Sequence, residues 1–276
     1  MRQLLLPGAL DAGVRIALTG EDYHYLARVL RLRPGARLPA LDESGARWTL
    51  ELLDDDGRRL LARVEPGTSE AAAGDDAASG CATAAAAGRG SSHAAADSPT
   101  LSFPGITVYQ AIPKGRAFDE SVRALVQAGV TRICPVVTER TVVRPSGGSS
   151  RTERWRRIAR EAVQQSGAGR PTEVLEPVEL SAVAARPEAL SLVLHTEPLA
   201  QTSLHGYLGD TPNEIELVAG PEGGFSADEL DGLIERGFSP LWLGPRVLRA
   251  ESAALFAAAA MRILILEREW WQPATT

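Results

Sequence analysis

Residues 66–100 contain no Leu, Ile, Val, Phe, Tyr or Trp. A stretch made almost wholly of Ala, Gly, Ser, Thr and Asp has nothing to bury, so it cannot share a core with its flanks. The chain must then build two cores, one from residues 1–65 and one from residues 105–270, with 66–104 as a flexible low-complexity linker or insertion.

The first unit reads as mostly β. VRIAL (14–18) alternates in polarity, and ARLPAL (36–41), ARWTLELL (46–53) and RRLLARV (58–64) follow, parted by DESG and DDDG turns. One helix interrupts them, LTGEDYHYLARVLRL. It has Thr19 and Asp22 at capping-box spacing and places Tyr23, Leu26, Val29 and Leu30 on one face. One helix among several strands predicts a small barrel. Arg28 and Arg31 lie off the apolar face, where they either meet a phosphate backbone or solvate the surface. His24 is expected to be partly buried.

After residue 105 the pattern changes to alternating strand and helix. ITVYQAI (106–112), RICPVVT (132–138), LSLVLH (190–195), EIELVAG (214–220) and PLWLG (240–244) are the strands. FDESVRALVQAG, RTERWRRIAREAVQQSG, SADELDGLIERG and ESAALFAAAAMRILILER are the helices. The first of these stops at Gly129, and the third carries Ser226 and Glu229 as a capping box. Such alternation predicts an α/β domain with a parallel sheet and helices on both faces.

Composition excludes several classes. An apolar content of 44% excludes a disordered chain, and a formal net charge of −6 argues against a general polyanion binder. The charge is uneven, however. Arg28, Arg31, Arg33 and Arg37 fall in one stretch without an acid, and eight arginines lie between Arg140 and Arg170 against Glu153 and Glu161. Two local basic patches suit RNA, although solvated helix faces would look the same. Arg140, Arg144, Arg154, Arg156 and Arg157 are the candidate RNA contacts, together with Lys114, the one lysine among 29 basic residues. Cys81 and Cys134 have no metal-ligand spacing, so no metal is expected. No run is long and apolar enough to span a membrane, and the N-terminus does not read as a signal peptide. A cytoplasmic protein is expected.

Ligands in parallel α/β sheets sit beyond the C-terminal ends of strands. Three such ends stand out: LVLHTEP (192–198), VAGPEGGF (218–225) and LGPRVLRAE (243–251). None is GxGxxG or a P-loop, and none contains lysine, so a triphosphate or NAD site is not expected. Two Gly-Pro steps give stiff turns with exposed backbone amides and little side-chain bulk. That suits an adenosine without phosphates, gripped by main-chain hydrogen bonds between leucines. S-adenosylmethionine is such a ligand, and its sulfonium tolerates a nearby Glu222 or Glu251. The expected cofactor residues are Leu194, His195, Gly220, Pro221, Glu222, Gly223, Gly224, Leu243, Gly244, Val247, Leu248 and Ala250. Tight turns with no ligand are the alternative.

GPEGGFSADE and LGPRVLRAESA together resemble the paired cofactor loops of the SPOUT methyltransferases, specifically the RsmE family. HYLARVLRLRPG (24–35), KGRAFDESV (114–122), TERTVVR (138–144), RWRRIAREAVQQSG (154–167) and LVLHTEPLA (192–200) extend the likeness over roughly residues 1–65 and 105–268. The resemblance implies a PUA-like RNA-binding barrel followed by an α/β domain with a C-terminal trefoil knot, a topology otherwise nearly absent from proteins. It also implies a homodimer that methylates the N3 nitrogen of a uridine in 16S rRNA of the small ribosomal subunit, using S-adenosylmethionine. The chain departs from the family's pattern at Ala117, Ala124, Gln127 and Ala168.

Uracil N3 is a poor nucleophile while protonated, so the reaction needs positioning and stabilisation of a developing anion. Arg246 and Arg249 are the candidate cations, and Glu222 and Glu251 the candidate proton acceptors. Each glutamate also has a structural reading: Glu222 as a cap on backbone amides, Glu251 as a favourable charge at a helix start. Two other functions remain open on sequence, a non-enzymatic RNA-binding or ribosome-assembly factor and a SPOUT methyltransferase acting on another RNA.

Overall fold

The computed structural model describes residues 3–67, 103–141, 149–166, 171–209 and 211–269. Most of the expected linker, Cys81, Arg144 and Ala168 lie outside the described residues.

The first unit is a five-stranded sheet wrapped round its own core. In chain order its elements are β1 (Leu4–Leu5), β2 (Arg15–Leu18), helix α1 (Gly20–Tyr23), β3 (Arg37–Leu41), β4 (Arg47–Asp55) and β5 (Leu60–Pro66). The order in space is β1-β3-β4-β5-β2, antiparallel except for the β1–β3 pair. Leu4, Leu18, Leu38, Leu50, Leu52, Leu60, Ala62 and Val64 alternate inward along these strands and pack under Tyr23 and Leu26.

The helical segment differs from expectation. Thr19 is the N-cap but makes no side-chain capping bond. After one α-turn the chain widens into a π-helix over His24–Val29, closed by the Leu30 N–H donating to the Tyr25 carbonyl at 2.9 Å. More residues per turn rotate the later positions off the 3.6-residue stripe. Val29, expected inward, is 54% exposed, and His24 is exposed as well.

The second unit is a parallel sheet of seven strands. Its elements are β6 (Gly105–Ala111), α2 (Ala117–Gln127), β7 (Arg132–Val137), α3 (Ser149–Ser166), β8 (Glu173–Val174), β9 (Val178–Glu179), β10 (Ala189–His195), α4 (Leu204–Leu208), β11 (Glu214–Ala219), α5 (Ala227–Glu235), β12 (Ser239–Trp242) and α6 (Ala250–Glu269). The strand order is β12-β10-β11-β6-β7-β8, with β9 also on β7. β11 thus inserts between β6 and β10, and β12 crosses to the far side of β10. Helices α2, α3 and α6 cover one face through Val122, Leu125, Trp155, Ile158, Ala257 and Met261. Leu233 of α5 and Phe238 cover the other. The capping box of Ser226 and Glu229 is present, and Gly129 ends α2 with φ +77° as expected.

The two units touch through α3. The Gln3 N–H donates to the Gln164 carbonyl at 3.1 Å, and Leu5 packs against the core of the second unit.

Candidate active site

The loops leaving β10, β11 and β12 close a cavity of about 720 Å³ at one rim of the parallel sheet. Such a volume falls in the range of small-molecule sites, ~300–1,000 Å³. In register, His195 lies opposite Trp242 and Val193 opposite Val218, which brings three sequence-distant loops side by side.

Each loop is shaped by its own residues. β11 ends where Pro221 removes an amide donor. The Gly224 N–H then donates back to the Pro221 carbonyl at 2.9 Å, with Gly224 at φ +70°, and Ser226 starts α5. Beyond β12, Gly244 adopts φ +113°, a conformation reserved for glycine, and turns the chain toward α6. The amides of Ser252 and Ala253 both donate to the Arg249 carbonyl and begin that helix. After β10, the His195 Nδ1 accepts from the Glu197 N–H at 3.2 Å, and the Trp242 indole donates to the Thr196 carbonyl at 3.2 Å. Below α6, the buried Gln110 amide donates to the Ala250 carbonyl at 3.3 Å, tying the end of β6 to the start of that helix.

Charge at the cavity is mixed. Glu222 accepts from the Lys114 N–H at 3.0 Å, and the Arg140 guanidinium donates to the Gly223 carbonyl. Arg249 stands 3.9 Å from Glu251, with side-chain exposures of 86% and 19%. A pair so exposed contributes little to stability and leaves the guanidinium accessible.

An RNA methyltransferase domain model matches residues 101–262, and an RNA methyltransferase PUA domain model matches residues 18–65. Ribosomal RNA small subunit methyltransferase E of Synechocystis is 32% identical over 255 residues, covering 91% of this chain and 73% of that protein. The chain belongs to the ribosomal RNA small subunit methyltransferase E family. The Mycobacterium tuberculosis member is 28% identical over 92% of this chain and 88% of its own. The crystal structure of the Neisseria gonorrhoeae member bound to S-adenosyl methionine superposes with a TM-score of 0.77 at 27% identity, covering 96% of this chain and 98% of that one. The fold expected from the sequence, a SPOUT-type α/β domain after a small PUA-like unit, is the one found.

Set against this family's frame, the sequence candidates divide cleanly. Every residue expected to hold cofactor lines the cavity, from Leu194 to Ala250, as do Arg246, Arg249, Glu222 and Glu251. Among the candidate RNA contacts, Lys114 and Arg140 line it too. Arg28 and Arg31 are exposed on the first unit, and Arg157 is exposed on α3. Two arginines are engaged within the protein: Arg154 pairs with Asp119, and Arg156 pairs with Glu176 at 3.0 Å while donating to the Val174 carbonyl. Sequence reasoning missed Gln110 and the loop role of Arg140. A lone polar residue in the apolar strand ITVYQAI was the available signal for Gln110. For Arg140 it was a position just beyond a strand's C-terminal end.

Proposed function

We propose that this chain transfers a methyl group from S-adenosylmethionine to the N3 nitrogen of a uridine in 16S rRNA of the small ribosomal subunit. The observation that carries the reading is the convergence of GPEGG and LGPRVLRA on one cavity at the ends of β10, β11 and β12. The lining fits the cofactor: Leu194, Leu243 and Leu248 offer apolar surface for an adenine ring, and glycines leave backbone amides within reach. Glu197, Glu222 and Glu251 supply negative charge for a sulfonium.

Bound there, S-adenosylmethionine supplies a methyl group on a positively charged sulfur. The chain's own residues do the rest. Leu194, His195, 220–224, Leu243, Gly244, Val247, Leu248 and Ala250 hold and orient the cofactor. Arg249 and Arg246, exposed at the cavity mouth, meet the base and stabilise negative charge on its oxygens, which favours the deprotonated N3. Glu251 takes the N3 proton. Glu222, already bonded to the Lys114 amide, shapes the loop.

In this reading residues 1–65 form an RNA-binding PUA-like barrel, 66–104 a linker, and 105–270 the methyltransferase domain with a knot formed by its C-terminal loops. Lys114, Arg28, Arg31 and Arg157 contact RNA phosphates. The protein works in the cytoplasm as a homodimer. Among the described residues no helix is long and apolar enough to cross a membrane, and no acidic, His or Cys cluster suits a metal.

The test is to incubate the protein with isotopically labelled S-adenosylmethionine and small ribosomal subunits lacking the modification, then digest the rRNA to nucleosides. Labelled 3-methyluridine is the expected product by mass spectrometry. Cofactor binding without it would direct the search to another RNA.

A further inference from the structure

The GPEGG loop is held from outside by the ends of two neighbouring strands. From the loop after β6, the Lys114 N–H donates to Glu222 at 3.0 Å. From the turn after β7, the Glu139 N–H donates to Glu229 at 2.7 Å, and the Arg140 guanidinium donates to the Gly223 carbonyl. That turn is itself fixed. Thr138 and Thr141 are buried, their hydroxyls lie 2.9 Å apart, and the Thr138 N–H donates to the Thr141 hydroxyl at 2.9 Å. Glu229 in turn accepts the Ser226 N–H at 3.0 Å, so one turn grips both the middle and the end of GPEGGFS.

The peptide between Gly223 and Gly224 is the focus. Its carbonyl is taken by Arg140, and its N–H by the Pro221 carbonyl. A peptide unit is planar, so pinning both ends fixes the plane and with it the direction of the flanking amides. The aliphatic part of Arg140 lies over the same spot: a Cβ at Gly223 would stand 3.2 Å from the Arg140 Cδ.

We infer that Arg140 is a positioning residue of the cofactor loop rather than a phosphate contact, and that Gly223 is glycine because Arg140 lies on it. The inference rests on the reading of this cavity as the S-adenosylmethionine site. Pre-setting the loop removes an ordering cost from binding. The cation acts through a backbone carbonyl, so its loss registers in cofactor affinity and not in the charge-driven part of RNA binding.

The experiment measures three quantities for the full chain and for R140Q, R140K, R140A, G223A and R140A/G223A. They are the calorimetric Kd for S-adenosylmethionine, the KM for each substrate, and the salt dependence of rRNA binding. R140Q is expected to raise the cofactor Kd and KM about tenfold and leave the rRNA salt slope unchanged. R140K, which keeps a cationic donor without the guanidinium's planar fork, is expected to recover part of the loss. G223A is expected to weaken cofactor binding less in the R140A background than in the wild type, because the Arg140 Cδ that crowds the added methyl is gone. An unchanged cofactor Kd in R140Q with the rRNA salt slope reduced by about one would overturn the inference and make Arg140 a phosphate contact. Absence of cofactor binding by the wild-type chain would overturn the cavity assignment first, and this inference with it.

Discussion

The indole N–H of Trp48 donates to the carboxylate of Asp42 at 2.9 Å, and Asp42 is 2% exposed. The same carboxylate accepts from the Ser44 hydroxyl at 2.6 Å, the Ser44 and Ala46 amides at 2.9 Å and the Leu10 amide at 3.4 Å. Burial works to raise its pKa, but these donors outweigh it and hold the group at about 2 against an ordinary 3.8. A depressed carboxylate stabilises the fold above its unfolded pKa, and that stability is lost as pH falls through the folded value. D42N places an amide donor against donors, so it is expected to cost about 2 kcal/mol at neutral pH. The gap between wild type and D42N should close as pH drops from about 4 toward 2. Urea unfolding at a series of pH values checks this, and a gap that does not change with pH rejects it.

Glu216 is fully buried in mid-sheet, where four donors converge on it. They are the Ser191 hydroxyl at 2.7 Å, the Arg186 amide at 3.0 Å, the Arg186 Nε at 2.7 Å and the Tyr109 hydroxyl at 3.1 Å. Burial favours the neutral acid, yet Ser191 and Arg186 hold its pKa below the ordinary value. E216Q removes the charge facing Arg186 and turns an amide toward donors, at an expected cost of about 3 kcal/mol. Burial and then the Glu216 charge push the Tyr109 phenol up to about 12. In E216Q that phenol should titrate at lower pH, which an ultraviolet difference titration reads directly. An unmoved phenol would mean that burial alone sets it.

Arg249 sits in the loop after β12 that lines the cavity, yet its side chain points to solvent, 86% exposed. If it stabilises charge on the base, its contribution belongs to the reaction and not to cofactor binding. R249Q is expected to lower the single-turnover methylation rate about a hundredfold with an unchanged calorimetric Kd for S-adenosylmethionine. A weakened Kd with a normal rate at saturating cofactor would place Arg249 in binding instead.

On α6, Phe256 and Ile263 are 54% and 52% exposed. Seven residues is nearly two helical turns, so both lie on one face, with nothing over it among the described residues. If the proposed homodimer forms through this face, a second copy covers both side chains. The double change F256E/I263E is expected to give a monomer by sedimentation velocity with the circular dichroism spectrum retained. A mass equal to that of the wild type would remove α6 from the interface.

Much of this fold could be read locally. Long strands carry their own signal, β4 by alternation and β6 as a nearly continuous buried run, and Ser226 and Glu229 announce a helix start whatever surrounds them. What escaped depends on distant residues. β1, β8 and β9 have two residues each, too few for any period, and exist because a neighbouring strand offers them hydrogen bonds. The inserted position of β11 is fixed by packing that no alternation encodes. At the site, glycine and proline advertise a loop by local chemistry, which is why GPEGG and LGPR were legible. The grip of Arg140 on Gly223 spans 83 residues and leaves no local trace. Val29 shows the opposite failure, where a 3.6-residue rule was applied to a segment that winds wider.

The edge position of β12 has a bearing on biosynthesis. Among the described residues that strand is hydrogen-bonded to β10 alone, and the loop after it forms one wall of the cavity. A ribosome extrudes the N-terminal end first, so a nascent chain that has completed β10 and β11 still has an open-sided cavity. Completion of the cavity therefore waits for β12 and the start of α6 to leave the exit tunnel, and a nascent chain that stops short of them carries one wall too few.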